Sequence, residues 1–111
     1  MSDLEYLLEY LKQCHDAQEA AELKDIVCDI QELDRLYQQQ EWGAVNQLVQ
    51  DVIAKHKTEA DEHDKGRSPA QDIYQLYQSC RNFLVELGKE KIARKAAERL
   101  AEEALKHLGG N

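Results

Sequence analysis

The chain is 111 residues long, 42% hydrophobic and 32% charged, enough apolar material for one folded core and too little chain for two. Its formal net charge is −8, and the imbalance sits at one end: residues 1–54 hold 12 acids and 3 bases, whereas residues 55–111 hold 10 acids and 11 bases. Such a surface repels a phosphate backbone, which disfavours direct nucleic-acid binding, and no apolar run approaches the roughly 18 residues of a membrane span.

No stretch alternates β-branched residues, so the expected class is all-α. Ser2 and Glu5 have the form of a capping box, and Leu4, Leu7, Leu8 and Leu11 at helical spacing carry a first helix to Cys14 or His15. Asp16 with Glu19 repeats the start signal. Leu23, Ile26, Val27, Ile30, Leu33 and Tyr37 then form the stripe of a second helix over 17–39. One continuous helix over 3–39 is the alternative, disfavoured because that length would need a coiled-coil partner. A third helix begins near Glu41 and shows Trp42, Val45, Leu48, Val49, Val52 and Ile53. Gly43 inside it costs about 1 kcal/mol relative to alanine, which close packing of the first turn would explain.

The apolar pattern fails over 55–67, which predicts a solvated helix tail and a polar hinge. Ser68, Pro69 and Gln71 restart a helix through an N-cap, a first-turn proline and a capping-box partner. Its core face is Ile73, Leu76, Tyr77, Cys80, Phe83, Leu84 and Leu87, and Gly88 is placed as its C-cap. A fifth helix over 89–108 is expected to bury Ile92, Ala96, Leu100 and Ala104 and to end at Gly109 and Gly110. The expected architecture is a single domain over 1–111. About five helices form a compact bundle or two stacked hairpins, with 55–67 separating three acidic helices over 1–54 from two helices over 68–111.

Leu36 to Ile53 and Phe83 to Leu105 resemble the helical hairpins of tetratricopeptide repeats, where a small turn is followed by a helix with small residues on its packing face. The separation of the two segments exceeds that family's 34-residue period, so the resemblance implies hairpin packing and not membership.

The acidic start Met1-Ser2-Asp3 is unlike a signal peptide. Cys14, Cys28 and Cys80 are too few and too irregular for a disulfide framework, so they are expected as reduced residues of a cytoplasmic protein, with Cys28 and Cys80 in the core. The sequence holds no phosphate loop, nucleophile elbow, HExxH or CxxC motif, and no cofactor or enzymatic activity is expected. His56, Glu59 and His63 share a helix face and include ligand types for zinc, but a solvated surface is preferred because no fourth ligand or apolar shell accompanies them.

Two surfaces remain. Glu22, Asp25, Asp29 and Glu32 line one side of the second helix, a self-repelling row for which folding alone gives no evident reason. Tyr6 and Tyr10 flank the leucine face of the first helix and suit an interface. The alanine face Ala93, Ala96, Ala97, Ala101 and Ala104 admits a close helix neighbour, within this chain or from a second copy. The leading expectation is a binding protein that docks on a basic or nucleic-acid-binding protein as an inhibitor, immunity factor or chaperone; the alternative is a structural subunit or homodimeric helical adaptor of a larger complex.

Overall fold

The computed structural model describes residues 2–66 and 68–109. Five helices form in them: α1 (Asp3–Gln13), α2 (Ala17–Gln38), α3 (Trp42–Lys55), α4 (Lys57–His63) and α5 (Ile73–Gly109). No strand occurs among the described residues. The fold is all-α, as the hydrophobic periodicity requires.

The first two helix starts lie where the capping signals put them. The Ser2 hydroxyl accepts from the Glu5 N–H at 3.2 Å, and the Asp16 carboxylate accepts from the Glu19 N–H at 2.9 Å. Each satisfies an N–H that has no intrahelical partner, and Asp16 thereby separates α1 from α2. Between α2 and α3 the chain turns through Gln40, whose φ is +59°. The Gln40 N–H donates to the Tyr37 carbonyl and the Glu41 N–H to the Leu36 carbonyl, each at 3.0 Å. This is a Schellman turn with glutamine in the left-handed position that glycine usually takes.

Three boundaries differ from the sequence expectation. Residues 57–63 form a helix of their own, set off from α3 by His56 (φ −119°, ψ 43°), with Ala60 buried. The next helix starts at Ile73 and not at Pro69, because Asp72 accepts from the Gln75 N–H at 2.8 Å and the Gln75 side chain accepts from the Gln71 N–H at 2.8 Å. Most consequentially, Gly88 ends nothing. It lies inside α5, which runs unbroken for 37 residues, so the Phe83–Leu105 segment is one helix and not a hairpin. A Cβ at Gly88 would lie 3.0 Å from both methyl carbons of Leu7, so the glycine is there to let α1 approach. At Gly43, by contrast, a Cβ would meet nothing within 4 Å, and close packing does not explain it.

The core draws on all five helices, with Leu7, Leu23, Ile30, Leu33, Val45, Val49 and Leu84 almost wholly buried. Cys80 lies in it as expected. Cys28 is exposed, because it sits off the stripe that carries Ile26, Val27 and Ile30. Ile92 is the last buried residue of α5, and every residue from 96 to 109 is exposed, including Ala96, Leu100 and Ala104, which were expected inside. A helix of this length rises about 55 Å, and the molecule measures 60 × 31 × 24 Å. Its radius of gyration of 16.7 Å exceeds the roughly 13 Å of a compact chain this size. The C-terminal part of α5 is a free arm beyond the bundle. Gly110 lies outside the described residues.

Candidate interaction surfaces

The row Glu22, Asp25, Asp29 and Glu32 does run along α2, and each member meets a cation of its own chain. Lys55, at the end of α3, places Nζ 3.0 Å from both Asp25 Oδ2 and Asp29 Oδ2. Lys91 of α5 lies 3.7 Å from Glu22, and Arg35 pairs with Glu32 through Nε at 3.1 Å. The hydrogen bond to Asp29, ahead of that to Asp25, holds the Lys55 pKa above its ordinary value, and Arg35 holds that of Glu32 down. The row therefore brackets α3 and α5 against α2, which is a folding reason for carboxylates that repel one another within their own helix.

His56 lies close to Asp25 and Asp29, with one candidate ligand atom from each within 4.8 Å of the others. The Lys55 ammonium already supplies a cation to both carboxylates there. The sequence grouping of His56, Glu59 and His63 resolves differently. Both imidazoles lie against Phe83, with ring centroids 6.1 and 5.4 Å away, while Glu59 is exposed. The histidines are half-buried and not part of a solvated tail. Each has a buried Nε2 without a hydrogen-bond partner.

The two tyrosines of α1 separate. Tyr6 is 44% exposed. Tyr10 is engaged within the chain: its hydroxyl donates to Glu19 and accepts from Arg99 Nη1 at 3.1 Å, while Arg99 Nη2 donates to the buried Glu19 at 2.8 Å. Burial, then the hydrogen bond to Glu19, pushes the Tyr10 pKa up. This cluster fastens the inward side of α5 to α1 and α2 at Arg99, within the first turns past Ile92, and leaves the outward side of those turns uncovered.

Two further surfaces take their form only in the fold. Tyr37 stacks on Tyr77 at 4.1 Å and meets Trp42 at 5.3 Å and Tyr74 at 6.3 Å; the outer rings, Trp42 and Tyr74, are about half exposed. The Tyr77 hydroxyl and Arg81 Nε both donate to Asp34, at 2.5 and 2.9 Å, which ties α5 to α2.

The second surface is the side of α5 away from the core. Leu84, Gly88 and Ile92 face inward, and the same line continues as Lys95 and Arg99. On the outer line Glu86 and Glu90 give way to Ala93, Ala97, Leu100, Ala104 and Leu108. The apolar side of the helix thus changes over at about residue 93. Leu100, Leu105 and Leu108 are 70, 68 and 80% exposed. Nearer the N-terminus of α5, an open groove of about 220 Å³ runs between α3, α4 and α5, lined by Val49, Ile53, Ala60, Leu76 and Phe83 among others. Phe83 also lines the adjoining groove, whose walls carry Glu59, Glu62, Glu86 and Glu90.

Comparison of the chain with family models, curated proteins and solved structures found no match. No helix among the described residues is long and apolar enough to cross a membrane.

Proposed function

We propose that this protein is a non-catalytic helical adaptor that docks on a protein partner through the free arm of α5. The observation that carries the reading is the changeover at residue 93. A helix that had only to complete this bundle would keep its apolar residues in line with Ile92, whereas here they turn outward and stay uncovered for about four turns. Contiguous exposed apolar surface of this kind marks protein contacts in soluble domains. The arm also presents alanines between its leucines, which lets another helix come close.

A photo-crosslinking residue placed at Leu105 in the producing cells tests this. An adduct is expected from Leu105, lost when Leu100→Lys is added. Absence of any adduct at Leu105, with adducts formed from a crosslinker at Glu22, would overturn it.

A second reading, docking of the acidic surface on a basic protein as an inhibitor, immunity factor or chaperone, draws support from the net charge of −8 and the four glutamates around the α4–α5 groove. It requires an association rate that falls as salt rises; a salt-insensitive rate would remove it.

A further inference from the structure

The docking reading above leaves the occupant of the arm open, and this inference rests on that reading. We infer that the occupant is the α5 helix of a second copy of this chain, packed antiparallel so that each arm covers the other's groove.

One side of α5 carries three kinds of surface in sequence. Leu76, Ser79 and Phe83 border the apolar groove at one end. Glu86 and Glu90 follow, at an acidic groove, and Ala93, Ala97, Leu100 and Ala104 complete the line along the exposed arm. Steps of three and four residues alternate without interruption from 76 to 104, so all of these residues lie on one helical seam. The seam leads from the rim of the groove to the exposed arm.

That face complements itself when read from opposite ends. In an antiparallel pair, the register that sets Leu100 at the mouth of the second copy's groove, whose wall includes the buried Phe83, also sets Ala104 against Ser79, Ala97 against Glu86 and Ala93 against Glu90. Small residues then oppose the two glutamates, leaving room for the carboxylates to reach past. Arg94, beside Ala93 on the seam's edge, comes next to the second copy's Glu86 and Glu90, so the acidic middle receives a cation from each arm. Two identical contacts related by a two-fold axis result, and the assembly closes at two copies.

The area is sufficient but not large. An arm of 16 residues spans about 24 Å and is about 10 Å wide; two arms, counted on both surfaces, bury roughly 1,000 Å², at the lower edge of specific interfaces. A reversible dimer that depends on concentration is expected.

Sedimentation velocity on the full chain across the micromolar range reads this directly, with circular dichroism to verify that each variant is folded. Leu100 and Arg94 are both exposed, so their substitution leaves the core untouched. The wild type is expected to dimerise, with Leu100→Lys and Arg94→Glu each weakening the dimer at least about tenfold. Combining Glu86→Arg with Arg94→Glu is expected to restore it, which a merely structural role for Arg94 would not do. A dimer indifferent to these changes, a charge exchange that fails to restore association, or open-ended growth beyond two copies would each overturn the antiparallel pairing. A chain monomeric throughout would also overturn it. An adduct from Leu105 to a different protein would then leave the docking arm standing, whereas no adduct at all would remove both.

Discussion

Replacing Gly88 with alanine separates two roles that a glycine in this sequence could have. In the interior of α5, alanine gains about 1 kcal/mol of helix propensity. Against this, the added Cβ would sit 3.0 Å from both Leu7 methyl carbons and 3.6 Å from Leu23 Cδ1, and both leucines are buried to 1% exposure or less. Forcing a methyl group into such a contact costs about 1–3 kcal/mol, so Gly88→Ala is expected to be between neutral and about 2 kcal/mol destabilising. Gly43→Ala has the same propensity gain and open space around it, and is expected to stabilise by up to about 1 kcal/mol. The two substitutions should therefore differ by the overpacking cost alone. Urea unfolding followed by helical circular dichroism measures it as a change in midpoint at constant slope. Leu7→Ala alone should cost about 2–5 kcal/mol; with Gly88→Ala the new methyl group fills part of the cavity, and the double variant should lose less than the sum. Equal stabilisation by the two glycine substitutions, or strict additivity with Leu7→Ala, would refute the close-approach reasoning.

Gln40→Gly should raise stability by about 1 kcal/mol, because a left-handed backbone costs a side chain about that much; a loss in urea midpoint would show that the glutamine contributes more than its backbone strain. Alkali should destabilise the protein. Burial, then the Asp34 hydrogen bond, pushes the Tyr77 hydroxyl from near 10 up to about 12, and burial, then the charges of Asp29 and Asp64, pushes the Cys80 thiol from near 9 up to about 12. Both groups hold their protons more tightly when folded, so their contribution is complete below about pH 9 and is lost as pH rises towards about 12; Tyr77→Phe and Cys80→Ala should each flatten the fall in melting temperature over that window. Lys55→Gln should reduce stability at low salt, by no more than about 1 kcal/mol for so exposed a pair, with the difference shrinking as salt is added.

What was legible followed from local physics. Ser2 and Asp16 accept from the N–H groups that their capping signals name, and the leucine and valine stripes of α1, α2 and α3 are the ones the core uses. The errors have a common origin. Gly88 has the same sequence appearance whether it terminates a helix or admits Leu7, and the difference is made by a residue 81 positions away. The helix-start signal at Ser68–Pro69 is locally the stronger, yet the structure starts α5 with the carboxylate of Asp72. His56 and His63 look solvated among their neighbours, and only the fold brings Phe83 beneath them.

The same reasoning bears on the choice between the two functional surfaces. A row of carboxylates looks unsatisfied in the sequence because three of its members, Glu22, Asp25 and Asp29, meet cations from outside α2, Lys91 and Lys55, which no helical periodicity within α2 can display. Once those cations are in place, much of the row's local charge is balanced within the chain, and its presence is accounted for by the packing of α3 and α5 on α2. The arm is the opposite case. Its alanines and leucines look like an ordinary core stripe in the sequence, and the fold is what leaves them uncovered, since the core-facing line of α5 turns to Lys95 and Arg99 after Ile92. Burial of one exposed leucine is worth about 1.5–3 kcal/mol, a gain that the folded monomer forgoes at Leu100, Leu105 and Leu108. Folding accounts for the acidic row and leaves the arm's exposed leucines unaccounted for, which is why the proposed docking is placed on the arm.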